Sequence, residues 1–178
     1  MRSKPKKYDA EALWSYALRA LGQRAHSTHE LRQKLALRAE NAGVLQDVLK
    51  KLREYGLADD AAFSEAFASS RLNNQGFGKQ RVLRDLQAKR VASGVAGQAV
   101  ERTFAGTDEK ELAIQFLRRK YRGKDLAAFL KEEKNFAAAF RRLRTAGFST
   151  RVSLDVLKEH AARSEDWEPM EEEPEAET

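Results

Sequence analysis

With 178 residues, 34% of them charged and 42% in the hydrophobic classes, the chain is polar for a single globule and suits an extended array of small units. It has no cysteine, which excludes disulfides, thiolate catalysis and cysteine-based zinc sites. The formal net charge is +6, but Glu165, Asp166, Glu168, Glu171, Glu172, Glu173, Glu175 and Glu177 are eight acids with no base among them; residues 1–163 therefore carry +14, an excess expected to meet a polyanion or a complex containing one.

Residues 1–8 form a basic arm. No apolar run follows it, and no later stretch approaches the roughly 20 residues of a membrane span, so a soluble cytoplasmic protein without membrane contact is expected. All three prolines lie outside residues 8–163, and the glycines fall at seams between helical segments. Helical stripes appear at once, in Trp14, Ala17, Leu18 and Leu21 and again in Leu45, Val48, Leu49 and Leu52. Between them, Ser27 to Glu30 is a capping box opening the helix of Leu31 and Leu35. Asp59 or Asp60 caps the next helix. Gly76-Phe-Gly-Lys-Gln-Arg81 lacks the strand and the Gly-Lys-Ser/Thr ending of a phosphate loop and reads as the entry to a basic helix whose inward face is Val82, Leu83 and Leu86. Asp108 with Glu111 precedes the helix of Leu112, Phe116 and Leu117. The acidic segment 164–178, with two prolines and only Trp167 and Met170 as large apolar groups, is expected to be disordered; a functional alternative is an intramolecular shield, anchored by Trp167, that competes with the polyanion.

The pattern recurs at long range. Trp14, Phe63 and Leu112 stand 49 residues apart, as do Leu18, Phe67 and Phe116. Leu35, Leu86 and Leu143 differ by 51 and 57, and so do Leu49, Val100 and Leu157. The fold predicted is all-α: three tandem three-helix-bundle repeats at 9–57, 58–106 and a longer 107–163, giving an elongated body. The surplus of the third repeat is placed between Gly123 and Asn135, as a helix extension or a short extra helix.

No catalytic constellation is present. His26 and His29 have no third ligand close in sequence, and His160 is distant, so neither a metal nor another cofactor is expected and the protein reads as non-enzymatic. Cations dominate instead. Arg71, Lys79, Arg81, Arg84, Lys89 and Arg90 flank the basic helix with Asp85 as the local offset, and they cannot all share its apolar stripe. Arg118, Arg119, Lys120 and Arg122, then Arg141, Arg142 and Arg144, give the third repeat a basic surface. Phe116, Phe136 and Phe140 sit at core spacing, so weak, electrostatic, sequence-tolerant binding of single- and double-stranded DNA is expected.

At these residues the chain resembles the RecX family. The first repeat carries Ala17-Leu18, Arg24, Ser27, Glu30-Leu31 and Lys34-Leu35; the second, Leu57-Ala-Asp-Asp60, Phe63, Arg71, Gly76-Phe-Gly78, Arg81, Leu86 and Lys89; the third, Ala146-Gly-Phe-Ser149. Two departures stand out: Lys79 where the family often has proline, and Arg90 where glycine commonly follows the basic residue. The resemblance implies three three-helix bundles in a curved body that lies in the groove of the RecA–DNA filament; a monomer is expected. It also implies inhibition of strand exchange, ATP hydrolysis and coprotease action, and thereby modulation of DNA repair and the SOS response. On that reading Arg24 and Lys34 join the contact set, led by Arg71, Lys79, Arg81 and Arg84. Two other readings fit the residues: a duplex DNA-binding protein with helix-turn-helix-like pairs, which requires no RecA, and a basic α-solenoid scaffold for an acidic protein.

Overall fold

A computed structural model describes residues 7–162, and every element among them is helical. The helices are α1 (Ala10–Gln23), α2 (Thr28–Ala36), α3 (Ala42–Glu54), α4 (Asp60–Ser70), α5 (Lys79–Ala88), α6 (Ser93–Thr103), α7 (Glu109–Lys120), α8 (Leu126–Leu130), α9 (Glu133–Ala146) and α10 (Thr150–Ala162). They form tandem three-helix sets, α1–α3 and α4–α6, then α7, α9 and α10 with α8 inserted where the third repeat's surplus was placed. None is long and apolar enough to cross a membrane. Residues 1–6 and the acidic segment with its expected disorder lie outside the described residues.

Local signals position the helix starts. Ser27 and Glu30 complete the reciprocal box, with the Glu30 amide donating to Ser27 Oγ at 3.1 Å and the Ser27 amide to Glu30 Oε2 at 3.2 Å. Asp9, Asn41, Asp59, Asp108 and Asp125 each accept amides of the first turn that follows them. Glu111 does not complete a box with Asp108; its carboxylate accepts from Gln115 one turn on. Tyr8 is tied to the connection after α2 by two backbone hydrogen bonds, its amide to the Arg38 carbonyl and the Glu40 amide to its own carbonyl.

The contacts group the chain into two compact units, one of residues up to Gln75 with Val82–Ala105, the other of Gly76–Arg81 with the residues from Gly106 on. In the first unit, Leu13, Ala17, Leu31, Leu35, Val48, Leu49 and Leu52 pack in one core. Burying each large side chain contributes roughly 1.5–3 kcal/mol. The buried face of α1 is rotated from the predicted stripe: Leu13, Ala17 and Ala20 are buried, Trp14 and Leu21 half-buried, and Leu18 exposed. A window of four apolar residues spans more than one face, and packing selects which of them goes inward. The stripe of α3 is buried throughout. In the second unit Phe116, Leu117, Leu130, Phe136, Leu143, Phe148, Val156 and Leu157 share a core with half-buried Phe77 packed against it.

α4 runs directly into a π-helical turn, Arg71–Gln75. Wider i to i+5 turns of this kind redirect side chains and occur mostly as short bulges.

Candidate polyanion-binding pockets

The pocket of the second unit is assembled by a close backbone approach. The Gly78 amide donates to the Ala146 carbonyl at 2.9 Å and the Gln80 amide to the Gly147 carbonyl at 3.3 Å. A Cβ on Gly78 would lie 2.4 Å from the Gly147 oxygen, and one on Gly147 would lie 2.2 Å from the Arg81 nitrogen. Gly147 also closes α9 at φ 95°, in the left-handed region where glycine is unstrained. This joint fixes the N-terminus of α5 against the end of α9. Phe77 and Phe116, 6.5 Å apart by ring centroid, then form an apolar floor. Arg81, Lys120, Arg141 and Arg142 surround it, with Thr145 and Ala146 completing a cavity of about 450 Å³. The Arg81 guanidinium lies 5.2 Å from the Phe77 centroid and donates to the Thr145 carbonyl at 3.4 Å. Lys120 Nζ is 5.7 Å from the Phe116 centroid, and the Arg142 guanidinium 5.4 Å from that of Tyr121. Lys120, Arg141 and Arg142 are exposed, and no described carboxylate forms a salt bridge with any of the three.

A second pocket, of about 340 Å³, lies in the first unit, where Arg24, Arg71 and Lys89 surround Phe63 and Phe67. Its cations meet carboxylates of the same unit. Lys89 Nζ is 2.8 Å from Glu30, Arg24 is 3.4 Å from Glu30, and Arg71 Nε is 3.5 Å from Asp85. The Ser27 hydroxyl donates to the Lys89 carbonyl at 2.8 Å, tying the cap of α2 to the end of α5. Burial alone would raise the Glu30 carboxyl, but hydrogen bonds from Lys89, the Ser27 amide and Arg24 outweigh it and hold the pKa at about 2. Burial, followed by the charges of Arg24 and Lys34, pushes the His26 imidazole below its ordinary value.

These shifts set a pH dependence. Because the folded carboxyl of Glu30 titrates below its unfolded value of 4.5, its contribution is complete above that pH and is lost as the pH falls from about 4.5 to about 2. His26 acts earlier in the same direction, since its folded pKa lies below 6.5 and the unfolded chain takes up the proton first. Thermal melts from pH 7 down to pH 2.5 are expected to show a loss of at most about 3 kcal/mol from Glu30, absent in Glu30→Gln. Identical acid profiles for the two proteins would contradict the assignment.

The remaining predicted contacts lie elsewhere. Arg84 is exposed on α5, Lys34 half-buried on α2, and Lys79 is the first residue of α5, a position that accommodates proline. Arg90 has φ 58°, so glycine in its place would relieve a left-handed strain of roughly 1–2 kcal/mol. The Arg119 guanidinium lies against Gly76, where an added Cβ would meet it. Arg144 donates to the Phe148 carbonyl across the turn after α9, and Arg118 is exposed on α7. Thus Arg81, Arg141 and Arg142 are brought together, as are Arg24, Arg71 and Lys89. Lys120, part of the third repeat's basic surface, lies outside the predicted contact set, although its 49-residue offset from Arg71 marks it.

Fold and pockets define a protein of tandem three-helix domains that presents cations over aromatic floors. Residues 14–52 match the family model of the first three-helix domain of RecX, and residues 59–100 that of the second. The chain is 31% identical to the regulatory protein RecX of Deinococcus radiodurans over 90% of its own length and 74% of the relative's. It is 40% identical to that of Halorhodospira halophila, over 52% of this chain and 56% of the other. Among solved structures it resembles RecX from Lactobacillus salivarius, with a TM-score of 0.68 at 17% identity, covering 86% of this chain and 97% of that one. A crystal structure of regulatory protein RecX gives 0.67 at 22% identity, covering 84% and 73%. The chain belongs to the RecX family of regulatory proteins.

Proposed function

We propose that this protein binds the RecA–DNA filament in the cytoplasm and inhibits its strand exchange, ATP hydrolysis and coprotease action, and that it does so as a monomer without cofactor. Membership of the RecX family supports RecA as the partner, and the site favours a polyanion: Lys120, Arg141 and Arg142 are exposed beside Arg81 around one pocket with no salt bridge from a described carboxylate to those three. Binding works by differential affinity. A protein that contacts assembled subunits or their DNA more strongly than dispersed ones shifts filament stability by that difference and by no more. The division at 9–57, 58–106 and 107–163 is part of the same reading, each repeat offering its own cations. The test is RecA ATPase on single-stranded DNA with this protein titrated in. A fall in ATPase at stoichiometric protein is expected; unchanged ATPase at excess rejects the proposal, and sequence-preferring duplex binding without RecA would select the rival DNA-binding reading.

A further inference from the structure

The two pockets occupy corresponding places in the internal repeat. Phe116 and Lys120 follow Phe67 and Arg71 by 49 residues, the interval between first helices. On the second helices, Arg81 follows Glu30 by 51 residues and Arg142 follows Asp85 by 57, the same intervals as for Leu35, Leu86 and Leu143. Glu30 and Asp85 are the carboxylates that meet Lys89, Arg24 and Arg71 in the first unit. In the second unit both of their counterparts are arginine. The repeat therefore keeps the aromatic floor and the cation of the first helix while converting two acidic positions into basic ones. Among the described residues no carboxylate forms a salt bridge with Lys120, Arg141 or Arg142, so an acidic segment from elsewhere has cations to meet there.

We infer that the pocket of Phe77, Arg81, Phe116, Lys120, Arg141 and Arg142 binds an acidic peptide segment bearing an aromatic side chain, and that its occupant is this chain's own Ser164–Thr178. That segment has eight carboxylates and no base, with Trp167 flanked by Glu165, Asp166 and Glu168. Carboxylate on guanidinium is the pairing already used by Arg71 and Asp85, and it is strongest when bidentate. The indole supplies the apolar body for the Phe77 and Phe116 floor. Connection favours it further. α10, part of the same unit, ends at Ala162, and the chain that follows extends up to roughly 50 Å, beyond the breadth of a unit of this size. Tethering at that length gives an effective concentration on the order of millimolar, so weak pairing suffices. Occupancy closes the pocket to a phosphate backbone until salt or a stronger polyanion displaces the segment.

The inference concerns the chain alone and does not depend on RecA. In the full-length chain with Trp14→Phe, Trp167 is the single tryptophan, and its quenching by acrylamide reports its exposure. The parent is expected to be protected at low salt and released at 1 M salt. Lys120→Glu with Arg142→Glu is expected to raise the quenching constant at least twofold at low salt, as is neutralisation of Glu165, Asp166 and Glu168 by Gln, Asn and Gln, which alters no described residue. Lys131→Glu, outside the pocket, is expected to leave it unchanged. Equal quenching in parent, pocket variant and segment variant, at both salt concentrations, would overturn the inference. Protected Trp167 in a protein that leaves RecA ATPase untouched would sustain it and reject the filament reading instead.

Discussion

Replacing Gly147 by alanine is expected to destabilise the second unit by roughly 2–5 kcal/mol, the sum of a left-handed backbone penalty and overpacking. The new Cβ would stand 2.2 Å from the Arg81 nitrogen, 2.5 Å from the Arg81 Cβ and 2.8 Å from the Gly78 oxygen, all of them backbone or the base of a side chain. A flexible group could swing away, but these cannot move unless the N-terminus of α5 leaves the end of α9. Gly78→Ala meets the same joint from the other side, against the Gly147 carbonyl. Gly94 and Gly97, in α6 with nothing within 4 Å of an added Cβ, provide the contrast: alanine there is expected to stabilise by about 1 kcal/mol. Urea unfolding followed by circular dichroism separates the two outcomes. Equal midpoints for Gly147→Ala and the parent would show that the close approach is not needed.

Reversing Arg141 and Arg142 to glutamate is expected to raise the concentration for half-inhibition of RecA ATPase at least tenfold while leaving helical content unchanged. Both side chains are exposed on α9, so the exchange removes no core packing, whereas Leu143 beside them stays in the core. Two reversals change the local charge by four, and electrostatic binding to phosphate falls steeply with each cation lost. The slope of the logarithm of binding against that of salt is expected to become shallower by about two. Inhibition that survives unchanged would remove this pocket from the interface.

Much of the fold is legible in the sequence because its signals are local. Ser27 with Glu30, Asp59 and Asp108 place helix starts by hydrogen bonds that span three residues, and the buried stripe of α3 has the period of a helix. The offsets of 49, 51 and 57 carried the repeat, and the surplus of the third became α8. What escaped is non-local. Nothing in Gly78 or Gly147 taken singly reveals that their backbones touch, and that contact is what sets Arg81 beside Arg141 and Arg142. The π-helical turn at Arg71–Gln75 leaves no periodic trace, being shorter than the window that detects periodicity. Asp85 is legible as the local offset of the basic run around α5, and Arg71 meets it, but Lys89 is matched by Glu30, which lies in another repeat. Charge counted along a chain does not distinguish a cation with an internal partner from one facing solvent.

Cryo-electron microscopy of RecA filaments on single-stranded DNA, mixed with this protein at one copy per several subunits, addresses the partner directly. Additional helical density seated on the filament, with the surface of α7 and α9 that carries Lys120, Arg141 and Arg142 turned towards RecA or its DNA, is the predicted result. Bare filaments at saturating protein, or density confined to naked duplex in the same grids, would contradict it.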